Sequence, residues 1–273
     1  MKNIKSLLRK SSFLVRCNET RKDCRDFTGD KLGIVLCKLA KRKVRAGYNP
    51  LITVLLTTYN RPLLLETAIQ SVLTQTYQNI ELIVLDDNSG VETEEAIQRY
   101  LLNEAKFRYY KSDVKDEDRW KEARYAALFN IGLKMAKGEL IAYLTDDDYY
   151  LPYKFEEFVE FFATHPKVKI AYNQQAYLPQ RKLRKAFGVL RRPGHIVDCI
   201  SVVHHKSCID ELGDWETGKG KKDVNRYIVG ADDPFFNRLA RKYPFYPIRK
   251  VLDIRINHAD TISEKMNQKL AAI

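Results

Sequence analysis

From Ile52 to Asp148 the sequence repeats one arrangement: a short apolar run that ends in polar or acidic residues, then a longer stretch of helical period. The apolar runs are 52–57, 81–85, 107–110 and 140–144, rich in Ile, Val, Leu and Tyr, and helical patterning fills 63–73, 93–104 and 121–135 between them. Successive βα units of this kind bury their strands on both faces only when the strands line up in parallel with helices packed on either side. The predicted fold class is therefore α/β, a Rossmann-like, mostly parallel sheet flanked by helices. After Asp148 the order turns irregular. A helix is expected at 153–163, extended chain at 169–177, a basic stretch at 181–192, further strands at 201–204, 245–248 and 252–256, and a helix at 234–241. Without a repeat or low-complexity linker, this second half is expected to close over the first on a shared core.

In open α/β sheets ligands sit beyond the carboxyl ends of the strands. Three polar clusters fall there: Thr57-Thr58-Tyr59-Asn60, Asp86-Asp87-Asn88-Ser89 and Thr145-Asp146-Asp147-Asp148. Three adjacent carboxylates repel one another, and a divalent cation removes that conflict. Mn2+ or Mg2+ takes one or two carboxylates and leaves its other positions to water and phosphate oxygens, so the cluster points to a phosphate-bearing substrate. The competing interpretation makes Asp148 a solvated cap for a helix opened by Pro152. No G-x-G-x-x-G follows a strand and no G-x-x-x-x-G-K-[ST] occurs, which argues against NAD-dependent and P-loop chemistry.

The formal net charge of +12 would ordinarily raise nucleic acid as a partner. Residues 1–50, however, carry 14 Lys/Arg against 4 Asp/Glu, leaving 33 against 31 for the rest of the chain. Residues 1–50 are expected to form a basic helical extension with helices at 4–15 and 31–44, offering peripheral contact with an anionic membrane or a cap on the main domain. No nucleic acid is expected. Neither a transmembrane run nor a signal peptide is recognisable, so the expected location is cytoplasmic, at most peripheral at the inner membrane face. Five cysteines, Cys17, Cys24, Cys37, Cys199 and Cys208, lack any C-x-x-C pair and suggest idle thiols.

The motifs T-T-Y-N-R-P at 57–62, L-D-D-N-S at 85–89 and L-T-D-D-D at 144–148 resemble family 2 glycosyltransferases of the GT-A fold, particularly those of spore-coat polysaccharide synthesis. The run at 124–128 with Asn130, Thr-His-Pro at 164–166 and Tyr-Pro-Phe-Tyr-Pro at 243–247 extend the resemblance over 51–260, leaving 261–273 as a C-terminal helical tail. The resemblance implies an inverting transferase that moves a sugar from a UDP or dTDP donor to a saccharide or other hydroxyl acceptor. Thr57 and Tyr59 would line the nucleotide pocket, Asp87 and Arg119 would read an imide-bearing pyrimidine, and Asp146 would face the ribose. Asp147 would ligate Mn2+ or Mg2+, with Asp148 and His258 as further candidate ligands. Asp198 would touch the donor or acceptor sugar. The catalytic base falls three residues before the paired phenylalanines, at Asp232; a shift of one residue selects Asp233. Two rivals stand beside this reading: a sugar nucleotidyltransferase, and a non-catalytic basic protein that docks on membranes or nucleic acid.

Overall fold

In the sheet of this protein, seen in a computed structural model, the first strand β1 (Ile52–Thr58) and its neighbour β2 (Ile80–Asp86) are buried at all seven positions each. Strands covered on both faces cannot alternate apolar and polar residues, which is why they read as continuous apolar runs. The structure describes residues 47–102, 106–178, 182–186 and 188–256. The predicted N-terminal helices at 4–15 and 31–44, the tail at 261–273, His258 and three of the cysteines lie outside these residues.

Helix α1 (Pro62–Leu73) follows β1, and α2 (Val91–Leu101) follows β2. Next come β3 (Phe107–Lys111), a 3-10 turn (Asp116–Lys121), α3 (Arg124–Met135) and β4 (Leu140–Thr145). The strands align in parallel in the order β3-β2-β1-β4. The helix predicted from 121 begins at Arg124, because 116–121 winds into the tighter turn instead.

The second half continues the same sheet. It comprises β5 (Tyr149–Tyr150), α4 (Lys154–Thr164), β6 (Ile170–Leu178), β7 (Lys182–Arg184), β8 (Val202–His205), α5 (Ser207–Leu212), α6 (Val224–Gly230), α7 (Asp232–Ala240) and β9 (Phe245–Ile256). Strand β8 pairs antiparallel with both β4 and β6, while β6 pairs parallel with β9. The sheet is mixed, parallel in its first four strands and largely antiparallel beyond. The two strands expected at 245–248 and 252–256 are one strand, β9, whose register against β6 shifts at Asn173 and Gln174. The basic stretch contributes only the short β7, paired to β6.

The halves share an aromatic core: Trp215 stacks on Phe235 with ring centroids 4.0 Å apart and meets Phe129 and Tyr143 at 5.3 and 5.1 Å. His204 lies within it, fully buried, 2.8 Å from the Tyr143 hydroxyl, and burial pushes its pKa down to about 4. It is a neutral packing residue. Under the sheet, Glu81 accepts hydrogen bonds from Thr53 Oγ1 at 2.5 Å and from the amides of Lys137 and Gly138 at 2.6 and 3.2 Å. That grip draws Gly138 so close that a Cβ there would stand 2.5 Å from the Thr53 amide nitrogen. Gly138→Ala must displace backbone and is expected to lower stability by about 1–3 kcal/mol, measurable by urea unfolding; an unchanged midpoint would show the contact to be loose.

Candidate active site

Two asparagines in left-handed backbone shape the rim, Asn60 at φ 53° and Asn88 at φ 62°, a conformation that Asn tolerates better than most residues. The Asn60 amide donates to Ser89 Oγ at 2.9 Å and its Oδ1 accepts from the Gly90 amide at 2.8 Å, so the turns after β1 and β2 are tied together. Beyond them opens a cleft of about 330 Å³ lined by Thr57, Tyr59, Asp87, Arg119, Asp146, Asp147, Asp148, Asp198 and Asp232. Residues nominated from six separate parts of the sequence thus meet in one place. Asp233 does not line it.

Of the Asp86-Asp87 pair only the second reaches the cleft. Asp86 is fully buried, accepting from the Tyr109 hydroxyl at 2.9 Å and the Ser89 amide at 2.9 Å. Asp87 is gripped by two arginines, with Arg119 Nη1 at 2.5 Å and Arg124 Nη2 at 2.7 Å. Arg119 also donates to the Asp87 carbonyl at 2.7 Å and lies 3.7 Å above the Tyr59 ring. Its guanidinium, over an aromatic face, is largely shielded from water, unlike an exposed surface ion pair.

The acidic triplet divides three ways. Asp146 accepts from Thr58 Oγ1 at 2.9 Å and the Tyr59 amide at 3.1 Å; Arg61 Nη1 bridges it to Asp147, at 3.0 and 3.1 Å. Burial, reinforced by the charge of Asp147, raises the Asp146 pKa to about 6. Asp148 turns inward, accepting from Thr145 Oγ1 at 3.0 Å and the Ile256 amide at 2.9 Å, and burial holds its carboxyl well above the usual range. Rather than capping the next helix, which starts at Lys154, Asp148 fastens β9 to the end of β4.

Asp232 opens α7, yet its carboxylate bonds away from that helix. Oδ1 accepts from the Tyr125 hydroxyl at 3.1 Å and Oδ2 from the Cys199 amide at 3.0 Å. A tyrosine of α3 and the 3-10 turn Cys199–Ser201 hold it, rather than the amides of its own helix. Burial lifts its pKa to about 6. Asp198, just before that turn, ion-pairs with Arg255 of β9 and accepts from the Ile200 amide at 3.3 Å.

Two groupings invite a metal. Asp198, Cys199 and Asp232 can bring one ligand atom each within 4.8 Å of one another. Burial keeps the Cys199 thiol protonated, however, and Asp198 is committed to Arg255, a poor set for a hard cation. Asp146 and Asp147 offer oxygen only and line the cleft, which fits Mn2+ or Mg2+ better. Sequence reasoning missed Arg61, Arg124, Tyr125 and Arg255. Arg61 stood inside the T-T-Y-N-R-P motif and Arg124 and Tyr125 inside a matched run, while nothing local marked Arg255.

The profile of Glycosyl transferase family 2 matches residues 53–246. Among relatives, Protein CgeD of Bacillus subtilis is 34% identical over 218 residues, covering 77% of this chain and 51% of that protein. A Campylobacter jejuni GalNAc(5)-diNAcBac-PP-undecaprenol beta-1,3-glucosyltransferase is 33% identical over 99 residues, 36% of this chain and 30% of that protein. This chain spans about half or less of the length of these relatives. In structure, S. aureus TarS 1–349 in complex with UDP-GlcNAc superposes with a TM-score of 0.62 at 15% identity, over 78% of this chain and 60% of that one. The Pyrobaculum calidifontis mannosyltransferase PcManGT, in complex with GDP-Man and Mn2+, gives 0.51 at 16% identity, over 77% and 57%. The mixed sheet with its flanking helices is thus the GT-A fold. The match to the family profile, running from β1 to the start of β9 and including every cleft residue except Arg255, establishes that the chain belongs to glycosyltransferase family 2.

Proposed function

We propose that this protein is an inverting, metal-dependent glycosyltransferase that moves a sugar from UDP or dTDP to an acceptor hydroxyl in the synthesis of a surface polysaccharide, spore coat included. The observation that carries this reading is one cleft lined both by an oxygen-only acidic pair, Asp146 and Asp147, and by Asp232, with its raised pKa. Such a cleft offers one set of groups for the leaving group and another for proton abstraction. Family membership favours transfer of the sugar over transfer of the nucleotide, and one structural neighbour was solved with UDP-GlcNAc.

The base of the nucleotide takes the Tyr59 face, where Arg119 now lies, and its imide N3–H donates to Asp87. Thr57 lines the same pocket and Asp146 faces the ribose. Asp147, with Asp146 beside it, would hold Mn2+ or Mg2+, and the ion when bound would supply positive charge to offset that of the diphosphate. Asp232 removes the acceptor proton, the freed oxygen attacks the anomeric carbon opposite the nucleotide, and the configuration inverts. Asp198, near Asp232, orients the sugar.

A thermal-shift panel of UDP, dTDP, GDP and CDP, with and without Mn2+, tests the reading. Ligand at about 100 times its Kd stabilises the native state by about 2.7 kcal/mol. UDP or dTDP should raise the midpoint by several degrees with Mn2+ and much less in EDTA. Indifference to every diphosphate would sink the proposal, and a GDP-selective response would reassign the base.

A further inference from the structure

The near neutrality of the chain beyond residue 50 conceals a charge separation. No Asp or Glu occurs from 161 to 197, and eight of the 33 basic residues fall there, leaving 25 basic against 31 acidic for the remainder. Within this stretch the β6–β7 hairpin and the chain that follows expose Leu183, Val189 and Ile196 to 45, 49 and 43%. These are three of the eight large hydrophobic side chains exposed among the described residues, gathered in 14 positions. Lys182, Lys185, Arg191 and Arg192 are exposed beside them, and among the described residues none of the four makes an ion pair.

Topology sets this segment beside the cleft. Strand β6 is antiparallel to β8, which is antiparallel to β4, so β6 runs with β4 and ends at the sheet edge that carries Asp146 and Asp147. Strand β7 turns back from that end. Arg184 in β7 lies over the Tyr177 ring, 5.4 Å from its centroid, and close enough to Asp232 to favour its ionised form.

We infer that residues 182–196 are a docking surface for an anionic lipid bilayer. Unpaired cations suit any polyanion, but exposed Leu, Val and Ile interleaved with them gain nothing from a nucleic acid or an acidic glycan and gain burial at the interface of a membrane. Docked in this way, the protein holds its cleft, with Asp232 near Arg184, beside the headgroup layer. The acceptor hydroxyl then belongs to a molecule anchored in the bilayer. The acceptor clause rests on the reading under Proposed function; the docking itself does not.

Vesicle co-sedimentation of the full chain tests docking without any activity assay. The protein should bind phosphatidylglycerol-containing vesicles, bind phosphatidylcholine vesicles far less, and release as salt is raised. A K182E/K185E/R191E/R192E variant should lose on the order of 100-fold or more in partition, and an L183N/V189N variant roughly 10-fold, each with an unchanged thermal midpoint. Should the fourfold change destabilise the fold, K182E/K185E alone reads the same loss in smaller measure. Failure of the wild type to bind, or unaltered binding by the charge-reversed variant, overturns the inference; the latter would assign membrane contact to residues 1–46. Heparin competition combined with full vesicle binding by L183N/V189N would likewise overturn it, in favour of a polyanion site.

Discussion

Asp232→Asn is expected to lower kcat by about 10²- to 10⁴-fold while leaving nucleoside diphosphate binding unchanged, because the amide keeps the shape but cannot accept a proton. Isothermal titration beside steady-state kinetics checks both halves. Equal loss of binding and turnover would move Asp232 from the base to the donor site. The wild-type pH profile carries a matching signature. Burial raises the Asp232 pKa to about 6, and a base works only when ionised, so kcat/KM should fall as pH drops through about 6. Tyr125→Phe removes a donor that favours the carboxylate, and should move that limb upward. The stability sign runs opposite. A carboxyl whose folded pKa lies above its unfolded value binds its proton more tightly in the native state, so Asp232 costs stability as pH rises from about 4 to about 6. Asp232→Asn should therefore match or exceed the wild type in thermal stability at pH 7.

The largest stability change is expected at Lys154. Its ammonium is fully buried and donates to Asp253 Oδ2 at 2.7 Å, Asn173 Oδ1 at 2.7 Å and the Ile200 carbonyl at 2.8 Å. The three acceptors lie on β9, on β6 and in the turn beside Cys199, so one cation fastens the segments that carry Arg255, Asp198 and the Asp232 contact. Lys154→Met strands the Asp253 carboxylate without its cation at complete burial. Breaking a buried pair from one side costs about 3–5 kcal/mol, whereas replacing both partners by apolar residues is often close to neutral. A midpoint fall on the order of 10 °C is expected for Lys154→Met, with much of it recovered in a Lys154→Met/Asp253→Leu double variant. No recovery would mean that the ammonium acts through Asn173 and Ile200 rather than through the pair.

Residues 52–148 were legible because their information is local. Apolar runs doubly buried, helices of regular period and acidic strand ends are all short-range patterns, and the four parallel strands they predict are β1 to β4. The resemblance of the same stretch to family 2 carried the GT-A fold. Beyond Asp148 the single long β9, interrupted by a register shift against β6, read as two strands, since a bulge and a turn leave similar marks in sequence. The helix expected from 121 begins at Arg124, because Lys121 closes the 3-10 turn Asp116–Lys121 and periodicity does not distinguish the two windings at a boundary.

What the amino-acid sequence by itself determined was which elements form and which sheet edge carries the acids, because apolar period and strand-end polarity act within a few residues. Which carboxylate does what was decided by the tertiary structure. Asp86 faces Tyr109 while Asp87 faces the cleft; Asp148 holds the Ile256 amide while Asp147 stays beside Arg61; Asp232 is raised by burial and steadied by Tyr125 and Cys199. Neighbours in sequence carry the same chemistry, and their ionisation and reach depend on burial and on partners up to 108 residues distant, quantities that no local pattern encodes.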